Sequence, residues 1–264
     1  MPIFCISDLH LCDRGYRDNF AVEGREARFY KFLDYVEAEG GQLYVLGDLF
    51  DFWQANMSRA VVAYLDMLTR LDKMRAVYVA GNHDCALSAF IGQPALMPGH
   101  PFFQREVRGF EQTIGGRRFA FLHGHESDPY CRDLNPGTGE ITAIISGMLE
   151  DRNRGPFTAN HHAVEDEFVG TLEGALTLWR RLTFQHGRMD EMLDGVEAYR
   201  KEAGADVVVY GHTHEPGRIG DYHFNSGSWA RTNDTFVRIE NDGTTSLWEW
   251  LPGKRAVPFE HLLR

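Results

Sequence analysis

Short apolar runs punctuate the chain, and each passes within two residues into a glycine, an aspartate or a histidine. Ile3–Ile6, Gln42–Leu46, Ala76–Ala80, Phe119–Leu122 and Val207–Tyr210 are rich in Val, Tyr and Phe. Runs of that length and make-up predict strands buried on both faces. Helical spacing fills the intervals. Phe29, Leu33 and Val36 share one helix face, and Val61, Leu65 and Leu68 share another, with Ser58 placed to cap it. Strand alternating with helix predicts βαβ units with helices packed on a sheet. From Phe110, and again after His214, the pattern turns to hairpins around Ile114-Gly115-Gly116-Arg117 and Asn241-Asp242-Gly243.

The stretch from about 128 to 204 departs from this rhythm. Asn135-Pro136-Gly137 lies near its start and Gly155-Pro156 breaks it. Phe168, Leu172, Ala175, Trp179 and Leu182 follow helical spacing, as do Met189, Leu193 and Val196. It reads as a helical insertion closing over something, inside a single domain spanning 1–264. No internal repeat or low-complexity linker interrupts the chain.

Composition narrows the function. With 27 Lys and Arg against 38 Asp and Glu the formal charge is −11, which disfavours nucleic acid and anionic membrane as partners. Carboxylates seated on cations would explain part of that surplus. The first residues are too few and too uncharged for a signal peptide, and no run of 18 apolar residues occurs. Cys5, Cys12, Cys85 and Cys131 are scattered without metal-knuckle spacing, as expected for reduced thiols in the cytoplasm.

Five motifs stand at predicted strand ends: Asp8-Leu9-His10, Gly47-Asp48-Leu49-Phe50-Asp51, Gly81-Asn82-His83-Asp84, His123-Gly124-His125 and Gly211-His212-Thr213-His214. Intervals of 40, 34 and 41 residues separate Asp8, Asp48, Asn82 and His123. Each matches one strand-helix-strand unit of roughly 30 or more residues. Successive strands therefore deliver these side chains to one sheet edge, where α/β proteins bind ligands. The interval to His212 is 89 because it holds the insertion. Hard oxygen and imidazole donors without thiolate suit manganese, iron(II) or zinc. Seven ligands exceed one tetrahedral centre and suit two metals sharing a carboxylate, the arrangement of hydrolytic phosphate chemistry.

In this order the motifs resemble those of the calcineurin-like metallophosphoesterases, D-x-H, G-D-x-x-D, G-N-H-[DE], a strand-end histidine and G-H-x-H. The resemblance spans Asp8 to His214. It implies a sandwich of two mixed sheets flanked by helices (an α/β, or α+β, fold) with a helical cap insertion. It implies that Asp8, His10, Asp48 and His214 hold one metal, and that Asp48 bridges to a second completed by Asn82, His123 and His212. A hydroxide between the metals would attack phosphorus in line. His83 resembles the family histidine that protonates the leaving oxygen or stabilises the transition state, and Asp51 the carboxylate that orients it. His125 and Glu126 are expected in outer-shell or substrate-facing positions, and His161 and His162 as solvated or capping residues. Manganese is the first expectation, with iron(II), zinc, nickel or cobalt as alternatives.

Ile6–Leu11, Phe50-Asp51-Phe52-Trp53 and Asn225-Ser226-Gly227-Ser228-Trp229 are most similar to the UDP-2,3-diacylglucosamine diphosphatase-like branch. That likeness implies a phosphate-containing small-molecule or lipid-linked nucleotide substrate, and with it peripheral membrane contact. A nuclease or cyclic-nucleotide phosphodiesterase of the same superfamily is the alternative, as is a metal-binding scaffold without activity. The complete ligand set and His83 weigh against the scaffold.

Overall fold

The structure is a computed structural model that describes residues 1–15, 17–22, 24–90, 102–103, 106–107, 109–128, 131, 187–230, 234–253 and 256–263. Most of the expected insertion, including His161 and His162, lies outside the described residues. In chain order the principal elements are β1 (Ile3–Ile6), α1 (Arg25–Ala38), β2 (Gln42–Leu46), α2 (Met57–Ala63), α3 (Leu65–Lys73), β3 (Val77–Val79), β4 (Glu106–Val107), β5 (Phe110–Ile114) and β6 (Arg117–Phe121). There follow α4 (Gly187–Glu202), β7 (Val207–Tyr210), β8 (Gly217–Ile219), β9 (His223–Asn225), β10 (Thr235–Ile239), β11 (Thr245–Trp250) and β12 (Ala256–Pro258).

The strands form two mixed sheets. The larger runs β12-β11-β10-β1-β2-β3-β4, parallel from β1 to β4 and antiparallel beyond β10; the smaller runs β5-β6-β7-β9-β8, with β6, β7 and β9 parallel. Side chains alternate across each strand, and here both faces are covered. Ile3, Cys5, Tyr44, Leu46 and Val237 meet Phe119, Phe121, Val207, Val209 and Phe224 between the sheets. Phe4, Ile6, Leu43 and Val45 point the other way, into α1, α2 and α3. On the far side Ala120, Leu122, Val208 and Tyr210 pack against Met192, Leu193 and Val196 of α4. Burial on both faces is why these strands read as continuous apolar runs. Among the described residues no helix is long and apolar enough to cross a membrane.

Local chemistry explains where the elements begin and end. Gly115 and Gly116 have φ of 59° and 83°, the two positive values of the tight turn that suits a twisted hairpin, so β6 starts at Arg117 rather than Phe119. The cap of α2 is Asn56, not Ser58: the Asn56 side chain accepts from the Ser58 backbone N–H at 3.0 Å. Leu65 is not on the buried face either, being 42% exposed. The helix breaks at Tyr64 (φ −122°, ψ 26°), whose hydroxyl donates to buried Asp18 at 2.7 Å, and α3 then buries Met67, Leu68 and Leu71. Met189, Leu193 and Val196 do share a face of α4, with Leu193 and Val196 buried.

Candidate metal centre

Asp8, Asp48 and Asn82 follow β1, β2 and β3, and His123 and His212 follow β6 and β7. Parallel pairing within each sheet brings these strand ends to common edges. The two edges are joined directly, because His123 Nδ1 donates to the Leu46 carbonyl at 2.8 Å.

The backbone at this junction is bent in an uncommon way. Asp8, His10, Asp48, His212 and His214 all have φ between 50° and 70°, and besides them only Arg14 and Arg75 among the described non-glycine residues have positive φ. Left-handed conformations in bulky residues concentrate where a site requires them. Neighbouring glycines make room. A Cβ on Gly47, itself at φ 91°, would fall 2.2 Å from His123 Nδ1, and one on Gly81 2.2 Å from Asp48 Oδ1. The Asn225–Trp229 segment braces the turns. Ser228 Oγ and the Trp229 N–H donate to the Asp8 carbonyl at 2.9 and 3.1 Å, and Asn225 Nδ2 donates to the Gly211 carbonyl at 2.8 Å.

The side chains converge in two groups about one carboxylate. On one side His214 Nε2 lies 3.1 Å from Asp8 Oδ1 and 3.0 Å from His10 Nε2. On the other His123 Nε2 lies 3.1 Å from Asn82 Oδ1. Asp48 Oδ2 stands between them, 3.8 Å from His10 Nε2 and 3.3 Å from His123 Nε2. Asp8, His10 and His214 offer donor atoms within 4.8 Å of one another, and so do Asp48, His123 and His212. Two features fit cations here. Asp8 Oδ1 is buried without a well-formed hydrogen bond, facing His214 Nε2 at 3.1 Å and His10 Nε2 at 3.7 Å. His10 and His214 also turn Nε2 atoms toward each other, a contact that needs a proton or a metal between the lone pairs.

His83 and Asp51 flank this centre. His83 Nδ1 is 2.9 Å from Asp51 Oδ1, its Nε2 is 4.0 Å from Asp48 Oδ2, and its ring stacks on Trp53 with centroids 3.7 Å apart. Asp51 also lies 3.5 Å from His10 Nδ1. His125 sits one ring beyond His123 (5.3 Å between centroids), its Nδ1 3.5 Å from Glu126 Oε2, and Glu126 accepts from the Gly124 N–H at 2.9 Å. Neither His125 nor Glu126 belongs to a potential ligand group among the described residues.

Electrostatics follow from this crowding. Burial works to raise Asp8 and Asp48, but His214 and His10 beside Asp8, and His123 and His83 beside Asp48, hold both well below the ordinary carboxylate range. Burial would depress His10 and His123 in turn. The Asp51 and Asp8 carboxylates beside it lift His10 well above its ordinary value, and Asp48 pushes His123 up to about 10. Without metal, the His123 imidazole therefore carries its second proton at pH 7.5. A cation must displace it, so binding should release a proton from His123. Calorimetry in buffers of different ionisation enthalpy measures this. Because the folded His123 value lies above the unfolded one, its stabilisation is present below about pH 6.5 and is lost as pH rises toward 10. The melting temperature of metal-free protein should fall over that range, widening its gap to the metal-loaded form.

Two further carboxylates support the centre from outside the expected ligand set. Asp84 is fully buried, accepts from the Phe50 and Gly81 N–H groups at 3.1 and 2.6 Å, and is pushed up to about 6 by burial and by Asp48. It pins the Asn82 loop to the Asp48 loop. Asp128, read only as the start of the insertion, lies 2.8 Å from His212 Nε2. The final D of G-N-H-D was a signal for the first; the second meets its partner 84 residues away and had none.

Fold and site together define a metal-dependent phosphoesterase, a hydrolase with Asp, Asn and His donors at the joined edges of two mixed sheets. Residues 1–216 match the calcineurin-like phosphoesterases, and the chain belongs to that family. Curated relatives include the UDP-2,3-diacylglucosamine hydrolase of Porphyromonas gingivalis, 27% identical over 129 residues, an alignment covering 47% of this chain and 46% of that protein. The chain thus spans about half of that relative's length. The enzymes of the same name from Vibrio atlanticus and Proteus mirabilis are 25% and 23% identical, covering 90% and 89% of this chain and 88% and 97% of theirs. Similar solved structures include a dimetal phosphatase from Danio rerio (15% identity, TM-score 0.48, 94% of this chain and 95% of that one). Another is zinc-complexed Vps29 from Entamoeba histolytica (15%, TM-score 0.46, 98% and 99%).

Proposed function

We propose that this protein hydrolyses the pyrophosphate bond of a UDP-2,3-diacylglucosamine-type substrate, using two divalent cations, manganese first among them. The observation that carries the hydrolytic part is the position of Asp48 Oδ2, within 4 Å of imidazole nitrogens from both donor groups and from His83. Asp8, His10, Asp48 and His214 would hold one cation, and Asp48, Asn82, His123 and His212 the other. Bound there, such a pair supplies Lewis acidity to a water and to the phosphoryl oxygens. The chain supplies the rest. Asp51 accepts the Nδ1 proton of His83, so Nε2 is the atom that carries a proton toward the leaving oxygen. Trp53 holds that ring from its face. Support for the substrate class is the extent of the Vibrio and Proteus alignments, near 90% of this chain.

The test is hydrolysis of UDP-diacylglucosamine and of bis-p-nitrophenyl phosphate with manganese or with EDTA. Manganese-dependent cleavage of the first, at least about tenfold preferred by kcat/KM, supports the reading. Turnover of the second alone keeps the phosphoesterase and removes the lipid substrate.

A further inference from the structure

His10 and His123 each turn Nε2 toward the donor groups, leaving Nδ1 to face a partner outside them. For His123 the outer partner is the backbone carbonyl of Leu46 at 2.8 Å. For His212 it is a full carboxylate: Asp128 Oδ2 lies 2.8 Å from His212 Nε2, and Asp128 is 1% exposed. Such an outer carboxylate fixes the tautomer of a ligating imidazole and makes it a stronger donor.

Asp128 is itself rigidly placed. It closes a short turn, His125–Ser127, with its N–H donating to the His125 carbonyl at 3.0 Å, and its own carbonyl accepts from the Cys131 N–H at 3.0 Å. The turn lies flush on α4 at Gly195, where a Cβ would fall 2.8 Å from Ser127 Cβ. The His212 backbone is fixed too, its N–H donating to Asp8 Oδ2 at 2.9 Å. Backbone and ring of His212 are thus clamped by two different carboxylates.

We infer that Asp128 is a positioning residue for the second cation. Resting on the dinuclear reading above, it accepts the hydrogen bond of the His212 Nε2–H, leaves Nδ1 as the ligating nitrogen, and so sets affinity on the Asn82–His123–His212 side while leaving the Asp8–His10–His214 side alone.

Manganese binding to metal-free protein, followed by calorimetry and by the spin-coupled manganese resonance signal, tests this without reference to turnover. The wild type should take up two ions. Asp128→Ala should weaken one of the two by about 10- to 100-fold, lose the coupled signal at intermediate manganese, and keep the other affinity. Asp128→Asn, which preserves an acceptor, should recover part of the loss. Unchanged uptake by Asp128→Ala overturns the inference alone. Equal weakening of both ions, with a lower melting temperature, assigns Asp128 to folding and also overturns it. Failure of the wild type to bind two ions removes the inference together with the dinuclear centre. Cys131 lies within ligand range of Asp128 and His212. Cys131→Ser should leave uptake unchanged, whereas a matching loss would make Asp128 a direct ligand and overturn the outer role.

Discussion

Asp48→Asn protein should lose manganese-dependent turnover by about a thousandfold, some 4 kcal/mol of transition-state stabilisation, while remaining folded. The fold should survive because asparagine keeps the oxygen that accepts the His83 N–H at 2.9 Å and is small enough to sit against Gly81. The activity should not, because the oxygen lost as a charged acceptor is the one both donor groups share. Removing any other ligand leaves one group intact; removing this charge weakens both. Metal uptake should fall from two ions toward one or none in the same titration. A variant that keeps both ions and wild-type turnover would place the shared position elsewhere and dismantle the proposed centre.

His83→Asn is expected to divide substrates instead. His83 comes within ligand range of His10 and Asp48, but neither proposed cation depends on it, so metal uptake should change little. Loss of a proton donor typically costs about 10²- to 10⁴-fold. That cost should fall on kcat for leaving groups that need a proton, and shrink to about tenfold or less for p-nitrophenolate, which departs unaided. Asp51→Asn should resemble it, though with some disturbance of metal affinity, since Asp51 also lies 3.5 Å from His10 Nδ1. Equal losses for good and poor leaving groups would assign His83 to charge stabilisation rather than proton transfer.

Much of this arrangement was readable from the chain because it is local. Val207–Tyr210 and Ile3–Ile6 have no exposed position, so burial on both faces wrote itself into four consecutive apolar residues. The motifs follow those runs immediately, and parallel pairing does the rest. What escaped was decided through space. Tyr64 ends a helix because its hydroxyl finds Asp18, 46 positions earlier, and the exposure of Leu65 follows from that break. Short edge strands such as β8 and β12, three residues each, have too few positions to show a period. Trp53 closes the Phe50–Trp53 run, but only the folded chain lays it on His83. Asn225–Trp229 likewise looked like a signature and is in fact the brace behind Asp8.

The five left-handed residues set folding against chemistry. Each conformation costs an ordinary side chain on the order of 1–2 kcal/mol relative to glycine, aspartate least. Glycine at Asp8, His10, Asp48, His212 or His214 would relieve backbone strain while deleting a candidate ligand. Selection for thermal tolerance alone would therefore pull these positions toward residues that cannot hold metal. A library screened for melting temperature should enrich inactive chains here first, and bound cations, stabilising only the strained form, would restore the balance.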